Sequence, residues 1–158
     1  MPRHAHLALA TVAVILTGCD RSSASPDEAA PAVTVAIARS EGPVELDRLE
    51  LADTPEERAR GLMGRTELGA DDGMLFAFPE PATGPFWMKD TLIPLSIAFW
   101  GEDGRIHTIV EMTPCEADPC ETYPADAPYT FALEMPQGWF DGHGVEVGDR
   151  ADVELPTG

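Results

Sequence analysis

Positive charge is scarce in this chain. Ten lysines and arginines face 28 aspartates and glutamates, and nine of the ten are arginine, which leaves Lys89 as the single lysine. A net charge of −18 argues against nucleic-acid binding and polybasic membrane binding, because both need clustered cations against phosphate. It predicts a solvated, self-repelling surface instead. Long apolar runs are missing as well: the run Leu7 to Leu16 (LALATVAVIL) has ten residues, half of the roughly 20 that a helix needs to cross about 30 Å of hydrocarbon. No internal repeat, G-x-S-x-G elbow, C-x₂-C pair or spaced calcium-loop ligand set occurs, so hydrolase, zinc and calcium chemistries have no motif behind them. No metal and no cofactor are predicted.

The N-terminus makes sense as a targeting segment. Arg3 supplies the positive start, the ten-residue run follows, and Leu16-Thr17-Gly18-Cys19 resembles the bacterial lipobox. The chain then divides into a signal peptide over 1–18, a lipidated Cys19 with a flexible tether over 19–31, and a single β-rich domain over 32–158. Two or three acyl chains at about 0.8 kcal/mol per buried CH₂ attach a protein stably to a membrane, so the predicted partner is the membrane and the predicted location its periplasmic side. Asp20, second in the mature chain, resembles the inner-membrane retention signal of enteric-type lipoproteins. The mature chain would carry nine cations against 28 acids, a net charge of −19. Lipidation also accounts for the odd cysteine of three. The remaining pair, Cys115 and Cys120, is expected to form a disulfide in an oxidising compartment; a metal site is the alternative, but the spacing does not suit one.

Residues 20–31 (DRSSASPDEAAP) lack apolar periodicity and suit a tether. Ala32 to Ile37 and Val44 to Leu51 alternate as strands, the second with a phase slip at Asp47-Arg48 that predicts a bulge. Thr54-Pro55-Glu56-Glu57 opens a helix with a capping box, which Gly61 and Gly64 close. Further strands are expected at Gly73 to Phe78, through the Phe86 to Asp90 stretch, at Leu95 to Trp100, Arg105 to Met112, Tyr129 to Met135 and Ala151 to Leu155, with a helical turn near Pro136 to Phe140. Without βαβ alternation, these elements predict an α+β fold, mostly antiparallel, barrel-like or sandwich-like, with one short capped helix.

Four segments then carry a family resemblance: Glu50 to Arg65 (ELADTPEERARGLMGR), Gly73 to Phe78 (GMLFAF), Phe86 to Leu95 (FWMKDTLIPL) and Leu133-Glu134-Met135. From about Val44 to Leu155 the chain is similar to the domain-of-unknown-function 192 family, which implies a compact, mostly β, often exported domain with no established activity. The family pattern has asparagine where this chain has Asp90 and aspartate where it has Ser96, which suggests a displaced carboxylate.

The candidate site is a ligand-binding cleft around Trp87, Lys89, Asp90, Arg65 and Glu134. An indole platform beside Lys89 and Arg65 suits an anionic group on an envelope sugar or small metabolite. The plain alternative is a cation–π pair of Trp87 and Lys89 worth about 0.5 to 1 kcal/mol. On a strand, Trp87 and Lys89 would share one face, and Phe86, Met88 and Asp90 the other. Met63, Met74, Met88, Met112 and Met135 raise a soft-metal, copper-handling alternative against ordinary core filling. Neither His107 nor His143 has a recognisable partner, and Asp71-Asp72-Gly73 and Gly101-Glu102-Asp103-Gly104 are expected to be solvated turns. The functional expectation is a binding or accessory module; an envelope hydrolase or a copper handler stands as the alternative.

Overall fold

Alternating side chains set the first two strands. β1 (Val33–Ala38) buries Val33, Val35 and Ile37, and β2 (Val44–Ala52) buries Leu46, Leu49 and Ala52. Val33 pairs with Leu49 but Val35 pairs with Leu46, so Asp47 and Arg48 bulge out where the apolar phase slips. The computed structural model describes Met1 and residues 33–156; the predicted leader, Cys19 and the tether lie outside the described residues.

Helix α1 (Pro55–Arg60) starts with the full capping box. The Thr54 hydroxyl accepts from the Glu57 N–H, and the Glu57 carboxylate accepts from the Thr54 and Asp53 N–H groups, which lowers its pKa. Gly61 ends the helix with φ 48°, and a Cβ there would approach the Phe76 ring to 3.2 Å.

The remaining elements are β3 (Gly73–Ala82), β4 (Phe86–Trp87), β5 (Leu95–Trp100), β6 (Ile106–Met112), β7 (Thr122–Tyr123), β8 (Tyr129–Pro136), α2 (Trp139–Gly142) and β9 (Arg150–Glu154). Seven strands form one sheet in the order β6-β5-β8-β3-β2-β1-β9, and β4 pairs with β7 in a separate ribbon. Most pairings are antiparallel, as the turn-rich sequence predicts. One is not. β2 and β3 run parallel with α1 crossing between them, a single βαβ unit that the lack of repeated alternation concealed. The helical turn falls at Trp139–Gly142, slightly beyond the expected position.

The sheet coils into a half-barrel whose outer strands meet at one end. Arg105 bridges to Arg150, and the Ile106 N–H donates to the Asp149 carbonyl at 2.9 Å. Two apolar layers result. The inner one holds Val35, Leu75, Trp100, Leu133 and Met135, with Trp139 and Phe140 of α2 packed against them. The outer one holds Leu62, Phe76, Met88, Phe99 and Tyr129, covered by the segments that follow α1 and surround β4 and β7. Being buried on both faces explains why all six residues of β5 are inaccessible while apolar and small residues fill every position.

Candidate ligand-binding cleft

Consecutive β8 residues point alternately to the two layers. Leu133 and Met135 join the inner one, whereas Ala132 belongs to the outer one and Glu134 shares its face. Met74 of β3 and Ile97 of β5 lie directly opposite Glu134 on either side. An acid thus occupies a place where an apolar residue is expected. Glu134 is 5% exposed, and its carboxyl makes no hydrogen bond among the described residues. Loss of hydration pushes its pKa up to about 8. At neutral pH it is mostly a protonated carboxyl, able both to donate and to accept.

The carboxyl faces a cavity of about 30 Å³, lined also by Arg58, Arg60, Phe86, Trp87 and Thr91. Alongside runs a groove of about 290 Å³ that shares Arg58, Phe86 and Trp87 with the cavity and adds Phe78, Pro85 and Tyr129. Its rings brace one another. Phe86 meets Phe76 edge-to-face at 5.0 Å and Phe99 at 5.4 Å, and Phe78 meets Tyr129 at 5.2 Å. The Tyr129 hydroxyl donates to the Gly84 carbonyl at 2.6 Å, and burial raises its pKa. The Arg58 guanidinium donates to the carbonyls of Asp53 and Ala77, the latter at 2.8 Å, and lies 5.0 Å over the Phe78 ring. Arg58 is therefore a fixed cation at the wall of the groove.

The central stretch differs from a continuous strand. Only Phe86 and Trp87 pair, with Tyr123 and Thr122, and the chain then turns. Met88 goes into the outer core, Trp87 stays half exposed at 51%, and the Lys89 ammonium stands 5.6 Å from the indole centroid. The cation–π pair of the plain reading is thus present. Asp90 is exposed, with φ 55°, a left-handed conformation that asparagine and aspartate tolerate better than other side chains. Its carbonyl accepts from the Gly64 N–H at 2.8 Å, so the backbone is what ties this turn to the segment after α1.

Of the five expected site residues, Trp87 and Glu134 line one cavity, and Lys89 adjoins it only through the Trp87 ring. Arg65 does not: it pairs with Glu50 and lines a separate depression with Arg48 and Asp72. Arg58 and Arg60 take its place. Only their position two residues apart on a helix in an acidic chain hinted at this. Phe78 and Tyr129 were beyond sequence reasoning, since pairing across distant strands brings them together.

Other expectations are corrected outside the cleft. The carboxylate beside Ser96 is that of Glu111, its cross-strand partner, whereas Asp90 lies exposed in the turn after Trp87. Ser96 donates to Glu111 at 2.7 Å, and the Gly138 N–H donates to both side chains at 2.7 and 3.1 Å, capping the entry to α2. The Asp71-Asp72 turn is not merely solvated. Asp71 accepts from the Trp139 indole at 3.2 Å and lies 3.7 Å from the His143 ring nitrogen, and Arg48 reaches both aspartates. His143 has a partner after all, and it stacks on Trp139 with centroids 4.1 Å apart. Four of the five methionines fill the two cores: Met74, Met88 and Met112 the outer, Met135 the inner. No cluster of three or more His, Cys, Asp or Glu side chains that could hold a metal occurs among the described residues. Cys115 and Cys120 are joined as expected.

The sequence profile of the domain-of-unknown-function 192 family (DUF192, uncharacterized ACR) matches residues 35–153. A crystal structure of a protein of unknown function from Novosphingobium aromaticivorans is 35% identical, with a TM-score of 0.71 over 81% of this chain and 89% of that one. One from Sinorhizobium meliloti, described as a "putative transcription regulator", is 33% identical, with a TM-score of 0.70 over 77% of this chain and 93% of that one. No curated protein matches the sequence.

Proposed function

Since the chain belongs to the DUF192 family, described as uncharacterized, we infer its role from the cleft itself: a small-ligand binding or accessory module held at the periplasmic face of a bacterial membrane. The observation that carries the binding reading is the Glu134 carboxyl, an acid only 5% exposed that lines a small cavity beside an aromatic-walled groove. A purely structural position between Met74 and Ile97 favours an apolar residue, because moving a carboxyl out of water is costly. A ligand that hydrogen-bonds to the carboxyl would lie beside the Trp87 ring, which lines the same cavity and carries Lys89 on its face.

Binding is tested on the purified full-length protein by following the Trp87 indole N–H in nitrogen–proton correlation spectra across a broad small-molecule library. Hits should shift that signal, and Lys89→Ala should weaken them without lowering the melting temperature. A cleft that no compound perturbs, with Trp87→Ala and Lys89→Ala equally destabilising, would reduce the arrangement to packing.

The periplasmic anchoring rests on Arg3, the Leu7 to Leu16 run and Cys19. Cys19→Ala should move the protein from the membrane to the soluble fraction and abolish labelling by a fatty-acid probe. Regulation by DNA binding, the role in the Sinorhizobium protein's description, finds little support in a chain of net charge −18.

A further inference from the structure

We propose that the groove beside the small cavity takes a small aromatic carboxylic acid, whose carboxylate forks onto the Arg58 guanidinium and whose ring lies among Phe78, Phe86, Trp87 and Tyr129. Resting on the reading of the cleft as a ligand site, this assignment names the class of molecule that the groove selects, and it is independent of Glu134.

Charge points to an anion. Arg58 is the only charged residue among those that line the groove; the others are aromatic residues, alanines, a glycine and a proline. In a chain of net charge −18, a wall with one cation and no acid is a local reversal of sign. The depression around Arg48 and Arg65 is different: Glu50, Glu67 and Asp72 line it too, and both of its guanidiniums are paired with acids. Arg58 makes no ion pair among the described residues.

Geometry narrows the anion to a carboxylate. A guanidinium presents its N–H donors in a rigid plane. Nη1 donates to the Asp53 and Ala77 carbonyls, and Cζ stands 5.0 Å over the Phe78 ring, so the plane is held in place before any ligand arrives. Nε and Nη2 have no acceptor among the described residues. Together they form one edge of the fork, which takes the two oxygens of a carboxylate side by side. One guanidinium also balances one carboxylate, whereas a phosphate monoester at about −1.5 to −2 leaves an excess of negative charge on a chain that already repels it.

The walls set the body of the ligand. The groove's volume of about 290 Å³ lies at the lower limit for small-molecule sites, which suits a single ring on a short linker. Phe86 is held edge-to-face by Phe76 and Phe99, and Phe78 by Tyr129, so the ring faces and edges on offer are already fixed. Trp87 is half exposed, and a ring laid against it covers apolar surface that is otherwise wet.

The test titrates the full-length protein with phenylacetate, phenylacetamide, phenethylamine, phenyl phosphate and acetate, reading the indole N–H signal that Trp87→Phe removes. Phenylacetate should bind best. Exchanging its carboxylate for the amide should weaken binding about tenfold or more, the worth of hydrogen bonds to a charged partner. Acetate, which lacks the ring, should bind more weakly than phenylacetate. Arg58→Gln should erase the preference for the acid over the amide. Added salt should weaken phenylacetate and spare the amide, a readout that serves if Arg58→Gln does not fold. The amide or the amine binding as tightly as the acid, phenyl phosphate binding more tightly than phenylacetate, or a preference for the acid that survives in folded Arg58→Gln overturns the proposal while leaving the cleft a ligand site. Silence of the Trp87 signal toward all five compounds also overturns it, and silence toward the broad library as well overturns both readings.

Discussion

Replacing Glu134 by glutamine keeps the side chain's shape and polarity but removes its titration. The carboxyl ionises near pH 4.5 in the unfolded chain and near 8 when folded, so the folded state holds the proton more tightly. Stability from this group is therefore fully present below about pH 4.5, falls as pH rises, and levels out above about pH 8. The total loss is about 5 kcal/mol at 1.36 kcal/mol per pH unit, of which about 3 kcal/mol is already lost at pH 7. Against a typical total of 5–15 kcal/mol, that is a large fraction. At roughly 4 °C per kcal/mol for a domain of this size, Glu134→Gln should melt about 10 °C above the parent at pH 7. Near pH 5 the two should lie within a few degrees. Melting curves by circular dichroism at pH 5, 7 and 8.5 measure the difference directly, and because both proteins share every other ionisable group, the remaining titrations cancel. Parallel profiles across the whole range would refute the reasoning, since they would mean that the carboxyl is hydrated or paired in solution.

Three further perturbations follow from the backbone. Gly73→Ala puts a Cβ 2.4 Å from the Glu134 carbonyl and the Met135 sulfur, so β3 and β8 must separate; a loss of about 1 to 3 kcal/mol is expected in urea unfolding. Asp90→Asn should leave stability within about 0.5 kcal/mol, whereas Asp90→Val should cost about 1 to 2 kcal/mol because a branched residue resists the left-handed conformation. Reducing Cys115–Cys120 should cost only about 2 kcal/mol for so short a loop, lowering the melting temperature without unfolding the sheet.

Much of the architecture was legible because local signals agreed with the fold. The β2 bulge followed from one phase slip, and the start of α1 from Thr54, Pro55 and Glu57. The parallel β2–β3 pairing was hidden because a single six-residue helix gives no periodic signal. The cleft was half legible. Trp87 and Glu134 line one cavity as the reading grouped them, but the turn after Trp87 overrode the strand alternation, and Arg65 was drawn away to Glu50. The carboxylate beside Ser96 could not be located from the chain alone, because Glu111 reaches it only through strand register.

The position of β1 between β2 and β9 bears on how the domain assembles. Among the described residues, the first strand in chain order is flanked on one side by the last, with Thr34 opposite Glu154 and Ala38 opposite Arg150. Until β9 exists, β1 presents a bare row of backbone donors and acceptors, a template for pairing with another chain. Contacts that span some 120 residues of chain also form slowly, because loop closure precedes any gain from pairing. A nascent or C-terminally clipped molecule is thus the form most prone to self-association, and a chaperone that shields the free edge of β1 would have its greatest effect before residue 150 emerges.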